Sequence, residues 1–233
     1  MHGLRLSETT LGSKVVVIGL GVIGQLVSRL AEAQGSEVTG IDPDPERSKY
    51  GENFFTSADD IELNDVDTVI ITAATSSNEP IELATKIARN KAKIVVIGDI
   101  PLNISRNDFY YKELELVVSK SYGPGRYDKQ YEALGNDYPI EYVRWTENRN
   151  FEAFTKLLSQ KQIHLLDLVS EEIAFEDAPS VYEKFDDEIK PLSVVLRYNI
   201  DTEPKIEIGN DLQPEPKTSK VCLLYTSPSP RDV

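Results

Sequence analysis

The stretch Val15 to Gly24, VVVIGLGVIG, runs an apolar segment straight into Gly19-x-Gly21-x-x-Gly24, and Asp42 closes the next apolar run, Glu37 to Ile41. Strand, glycine turn, helix, strand and acid in that order describe a seat for a dinucleotide rather than a generic core segment. Each glycine has its own task. Gly19 permits the tight turn out of the strand, Gly21 lets the backbone approach a pyrophosphate, and Gly24 lets the next helix lie close to the sheet. Ile23, Leu26, Val27, Leu30 and Ala31 recur at helical spacing and predict a helix over Val22 to Gln34. Its first amides, those of Val22 and Ile23 included, would hold the pyrophosphate. A carboxylate at Asp42 accepts both adenosine ribose hydroxyls and repels a 2'-phosphate, which favours NAD over NADP. Arg47 points the other way, since a guanidinium compensates a phosphate, but its expected place is a solvated helix face.

The rest of the composition narrows the class. The 233 residues are 40% hydrophobic, enough for one sizeable domain and a smaller appendage. Lys and Arg number 25 against 39 Asp and Glu, a formal charge of -14, which argues against nucleic acid or an anionic membrane as partner. No apolar run approaches the roughly 18 residues of a membrane span, and Met1 to Leu11 lacks the pattern of a signal peptide. The expected location is therefore cytoplasmic.

Beyond the glycines, Asp67 to Ala73 and Lys93 to Gly98 are short, Val- and Ile-rich and bounded by polar residues, as buried parallel strands require. Pro80 to Asn90 reads as a helix covering Ile81, Ala84, Ile87 and Ala88. A short helical segment, Phe109 to Leu114, precedes a further strand, Glu115 to Ser119. The alternation predicts an α/β fold, a Rossmann-type doubly wound parallel sheet with helices on both faces.

At these residues the chain resembles the coenzyme-binding part of the medium-chain, zinc-alcohol-dehydrogenase-like dehydrogenases. The likeness lies in Leu11-Gly12 before Lys14-VVVIGLGVIG, in Asp42, in Thr68-VIITAA and in the IVVIG run ending at Gly98. Gly98-Asp99-Ile100-Pro101, Ser121 to Asp128 (SYGPGRYD), Trp145 to Asn150 (WTENRN) and Phe175 to Pro179 (FEDAP) resemble the two-part oxidoreductases of bacterial surface-polysaccharide gene clusters. This resemblance implies NAD-dependent hydride transfer with an alcohol, polyol or sugar, and a homodimer. It also implies a barrel-like catalytic domain with any zinc ligands outside this chain, and a chain start internal to a longer protein. Residues 1–150 are then the coenzyme domain. Residues 151–200 return toward the other domain through helices Phe151 to Lys161 and Ala178 to Phe185 and strand Ser193 to Tyr198, a strand with no sheet to join. Residues 201–221 read as a linker rich in Pro, Glu and Lys, and 222–233, containing the single cysteine Cys222, resemble translated sequencing adapter.

Ligands of parallel sheets sit beyond the C-terminal strand ends, so Ala73, Ala74 and Thr75, with Gly98, Asp99 and Ile100, are expected to border the channel from adenosine to nicotinamide. For Thr75 a loop or cap role stands beside this, and for Asp99 a plain turn role. Tyr122 and Arg126 are candidates to face a sugar phosphate or carboxylate. The bland alternative is a Gly-Pro-Gly turn with a solvated arginine. His2 and His164 belong to no compact ligand cluster, so no metal site is expected, and His164 is expected to pack near Ile163 and Leu165. No tyrosine has a lysine four residues later, which disfavours short-chain dehydrogenase chemistry. Two functions remain open: a dehydrogenase's coenzyme module and a non-catalytic NAD-responsive regulatory or assembly module.

Overall fold

The computed structural model describes residues 1–63, 65–184, 191–198 and 221–225. These divide into two compact units, Met1–His164 and the described residues from Leu165 onward.

The first unit opens with helix α1 (His2–Leu6) and continues through β1 (Lys14–Ile18), α2 (Val22–Ala33), β2 (Glu37–Ile41), α3 (Pro45–Ser48) and β3 (Phe54–Phe55). It then runs through β4 (Val66–Ile71), α4 (Glu79–Ile87), β5 (Ala88–Val96), α5 (Arg106–Lys112), β6 (Glu115–Val118), α6 (Lys129–Glu132) and α7 (Glu147–Ser159). The sheet order is β3-β2-β1-β4-β5-β6, and every pairing is parallel. The chain thus starts in the middle, winds out to one edge, crosses back over β1 and winds out to the other. The crevice where the order reverses lies between β1 and β4, the place where such sheets take ligands.

The period of two along each strand sorts the apolar residues onto two faces. Val16, Ile18, Val69, Ile71, Ile94 and Val96 are buried with Ile81 and Ala84 of α4. Val15, Val17, Ile70 and Val95 are buried with Leu4 of α1 and Val27, Leu30 and Ala31 of α2, and Phe154 and Leu157 of α7 close that layer. The α2 face is turned slightly from the expected one. Gln25 and Ser28 are buried while Ile23 and Leu26 are only half-covered. Ser28 Oγ donates to the Gly24 carbonyl at 2.9 Å and Gln25 Nε2 to the Leu20 carbonyl at 3.1 Å, so both donors enter the core with partners, while the buried Gln25 Oε1 has none.

The second unit holds β7 (Glu171–Ala174), α8 (Ala178–Lys184), β8 (Ser193–Arg197) and β9 (Val221–Tyr225). Here the structure corrects an expectation. The strand at Ser193 is not left without a sheet, because it lies between β7, which it pairs in parallel, and β9, which it pairs antiparallel. Both rows of its backbone groups thereby find partners. Glu171–Ala174 carries little strand signal of its own, being four residues long with two of them acidic. The expected linker at 201–220 and the tail from 226 to 233 lie outside the described residues.

Candidate functional site

The glycine turn has the geometry its spacing implies. Gly19 has φ +95°, a left-handed value that any side chain would strain, and a Cβ there would stand 2.5 Å from the Ala73 nitrogen. Gly24 is held closer still. A Cβ on it would collide with the Gly19 carbonyl oxygen and come within 2.9 Å of Thr72 Oγ1. Gly21 is the opposite case, exposed, with nothing within 4 Å of where its Cβ would be. Gly21 is also the N-cap of α2, and no side chain caps that helix. The first amides of α2, at Val22, Ile23 and Gly24, therefore lack an intrahelical acceptor and face the space above Gly21, a seat for a diphosphate.

Asp42 closes the other side of this seat. Its Oδ2 accepts from the Leu20 amide at 2.7 Å and its Oδ1 from the Asp44 amide at 2.9 Å, so the carboxylate is locked onto the glycine turn. A carboxylate has lone pairs beyond these two bonds for ribose hydroxyls. Arg47 departs from the expected solvated face. Its side chain is only 13% exposed and its Nε lies 3.4 Å from Asp44 Oδ2, because α3 folds back over the turn. Gln25, which the sequence reading took no notice of, spans the two loops, donating to the carbonyls of Leu20 and of Arg47 at 2.9 Å.

The ends of β4 and β5 stand shoulder to shoulder beside the turn. A Cβ on Gly98 would strike the Ala73 carbonyl, and the Thr75 amide donates to the Asp99 carbonyl at 2.9 Å. Ala74, Thr75 and Asp99 are exposed at this rim, whereas Ala73 and Gly98 are half-buried and Ile100 packs on the core. Thr75 Oγ1 accepts from the Ser77 amide at 3.1 Å, the loop-capping role that its residue type suggests.

After β6 the chain makes a series of turns. Ser121, Gly123, Gly125 and Tyr127 all have positive φ, and the glycines relieve two of these positions. Tyr122 and Arg126, the proposed substrate-facing pair, are joined through a third residue. Arg126 Nη1 lies 2.7 Å from Glu132 Oε1, and the Tyr122 hydroxyl donates to the same oxygen. These two bonds hold the Glu132 carboxyl down to about 2, while burial followed by the Glu132 bond pushes the Tyr122 phenol up to about 12. Arg126 is thus neither solvated nor uncompensated. Glu132 was missed because it lies on a separate short helix, and only the fold brings it back to the turn. His164 is exposed rather than packed. Its carbonyl accepts from Arg29, and of the two expected neighbours Ile163 is buried and Leu165 half-buried. Among the described residues no group of three or more His, Cys, Asp or Glu is placed to hold a metal ion, and no helix is long and apolar enough to cross a membrane.

Comparison with known proteins fits this geometry. Residues 3–108 match the family model described as D-isomer specific 2-hydroxyacid dehydrogenase, NAD binding domain. The fold is the Rossmann-type NAD-binding fold. Among solved structures the chain resembles the alcohol dehydrogenase TADH from Thermus sp. ATN1, with TM-score 0.63 and 19% identity over 85% of this chain and 56% of that one. It likewise resembles L-idonate 5-dehydrogenase from Escherichia coli, with TM-score 0.65 and 18% identity over 84% of this chain and 53% of that one. In fold, then, it is similar to the medium-chain dehydrogenases. Among relatives by sequence it is 26% identical to 2-dehydro-3-deoxy-L-galactonate 5-dehydrogenase of Pseudoalteromonas atlantica, over 61% of this chain and 43% of that protein. It is 25% identical to D-guloside 3-dehydrogenase of Escherichia coli, over 84% and 57%. The chain spans about half the length of these relatives.

Proposed function

We propose that this chain is the coenzyme-binding part of a medium-chain-type dehydrogenase that moves a hydride between NAD(H) and a hydroxyl or carbonyl carbon of a sugar-type substrate. The carrying observation is that the uncapped α2 amides and the Asp42 carboxylate share one seat, joined by the Leu20–Asp42 bond of 2.7 Å. Bound there, NAD supplies the hydride chemistry. The chain's own residues hold its diphosphate at Val22 to Gly24, its adenosine ribose at Asp42, and its nicotinamide half along Ala73 to Thr75 and Gly98 to Ile100. NAD is favoured over NADP because Asp42 is held in place as a carboxylate that accepts from ribose hydroxyls and repels a 2'-phosphate, and because Arg47 is drawn to Asp44. Relatives named for a deoxy-galactonate and a guloside support a sugar or sugar acid as substrate. A role in surface-polysaccharide or nucleotide-sugar metabolism, a homodimer, a cytoplasmic location and a zinc supplied by residues outside this chain belong to the same proposal. So do the division into a coenzyme domain, a returning segment, a linker and an adapter-derived tail.

Calorimetric titration of the chain with NAD and with NADP tests the cofactor assignment. NAD is expected to bind at least about ten-fold more tightly, a difference of roughly 1.4 kcal/mol. Tighter binding of NADP refutes it.

A further inference from the structure

The turns after β6 line a wide-open cleft of about 510 Å³ whose walls include His2, Lys120, Arg126, Tyr127, Asp128 and Tyr138. It lies past the C-terminal end of β6, the neighbour of the β5 end that the proposed function gives to nicotinamide, and its placement beside a substrate rests on that reading. Most of its polar groups are satisfied within the protein. Arg126 is paired with Glu132, and Asp128 accepts from the Gln130 amide at 2.9 Å and from the Tyr138 hydroxyl. Burial holds the His2 imidazole below its ordinary value, so it is neutral near pH 7.

The buried Arg126 Nε has no hydrogen-bond partner, and Lys120 and Tyr127 present an exposed charge and an exposed ring beside it. Lys120 is exposed and, among the described residues, makes no ion pair, in a chain of net charge -14 where carboxylates are plentiful. Its Nζ stands 5.1 Å from the centre of the Tyr127 ring. Tyr127 is 69% exposed and sits at φ +69°, a left-handed conformation unfavourable for a residue with a Cβ, with the Arg126 guanidinium 4.3 Å from its ring. An exposed aromatic ring with two cations close to it suits a ligand with both a sugar's C–H face and a negative charge.

We propose that this cleft binds an acidic sugar, its ring lying on Tyr127 and its carboxylate or phosphate reaching Lys120. The specificity residues are then Lys120 and Tyr127, and Arg126 and Tyr122 serve as the braces that fix the turn.

The test is calorimetry on the full chain, with and without saturating NAD, using D-glucuronate, D-glucose 6-phosphate, D-glucose and inorganic phosphate. At least one acidic sugar is expected to bind about ten-fold or more tightly than glucose. Which of the two does so distinguishes a carboxylate from a phosphate ester. Lys120→Met is expected to abolish the preference for acid, Tyr127→Ala to weaken binding of the preferred sugar about ten-fold, and Tyr127→Phe to retain it, with the NAD affinity of all three unchanged. Glucose binding as well as the acids, no binding by any sugar, an acid preference that survives Lys120→Met, or inorganic phosphate matching the sugar phosphate each overturns the proposal. Acidic-sugar binding by the unaltered chain together with no binding of NAD or NADP to it would refute the dehydrogenase reading and leave this site standing.

Discussion

The Asp42 carboxylate accepts from the Leu20 amide, and under the proposed function it also accepts from the cofactor's ribose, so its substitution should show both effects. Removing the side chain leaves the Leu20 amide without its 2.7 Å acceptor and takes away the ribose's acceptor. Hydrogen bonds to a charged group are worth roughly 1.5–3 kcal/mol, so Asp42→Ala is expected to weaken NAD by about ten- to a hundred-fold and to affect NADP much less. Titrating both cofactors against the variant checks this; equal losses for the two would mean that the acid only props the turn. Gly24 gives a second residue-level expectation. The Gly19 carbonyl occupies the place of any Cβ, so Gly24→Ala must push α2 off the sheet. A loss of about 1–3 kcal/mol, typical of overpacking, is expected in denaturant unfolding, together with loss of NAD binding. The tight turn at Gly19 was legible in the sequence because a strand ending in spaced glycines is a local signal, whereas the contacts of Gly19 with Ala73 and of Gly24 with Thr72 are supplied by the residues that follow β4. Gln25 was not legible, since its partner at Arg47 is supplied by a loop that returns only after β2.

Elements show the same division between local and distant causes. Five of the six strands of the parallel sheet, β1, β2, β4, β5 and β6, were legible because their apolar runs needed no partner to be recognised. β3 and α1 were not, because two residues and five residues carry too little periodicity. The helix expected to reach Asn90 ends at Ile87, and its end is set from elsewhere. Lys112 at the end of α5 donates to the carbonyls of Thr85, Lys86 and Ala88 at 2.7, 2.9 and 2.8 Å, covering the last turn of α4. A cation there also complements the helix dipole. Lys112→Met keeps the stem and removes these bonds, and thermal unfolding should fall by roughly 2–6 °C. The turn after β6 responds to acid instead. Glu132 is held at about 2 against an ordinary 4.5, so its bonds to Tyr122 and Arg126 contribute fully above pH 4.5 and are lost as pH falls toward 2. Amide exchange across 119–138 should rise over that window. Glu132→Gln should already exchange faster at neutral pH and show little further rise in acid.

For the molecule as a whole, the question is which part of the chain the cofactor needs. Gly19, Gly21, Gly24, Asp42, Ala73 to Thr75 and Gly98 to Ile100 all lie within Met1–His164. That unit closes its own core, with α1, α2 and α7 on one face of the sheet and α4 and α5 on the other. The doubly wound pattern was readable from composition and periodicity because it repeats along this unit. The three-stranded sheet of the second unit was not, since its strands are far apart in sequence and one of them, β9, pairs across residues 199–220. A chain ending at His164 should therefore keep a cooperative unfolding transition and bind NAD within about three-fold of the full chain, a difference under roughly 1 kcal/mol. Calorimetry and thermal unfolding on the two lengths decide it. A loss beyond ten-fold with the fold intact would show that the residues from Leu165 onward contribute to the seat, and that the glycine turn and Asp42 do not suffice.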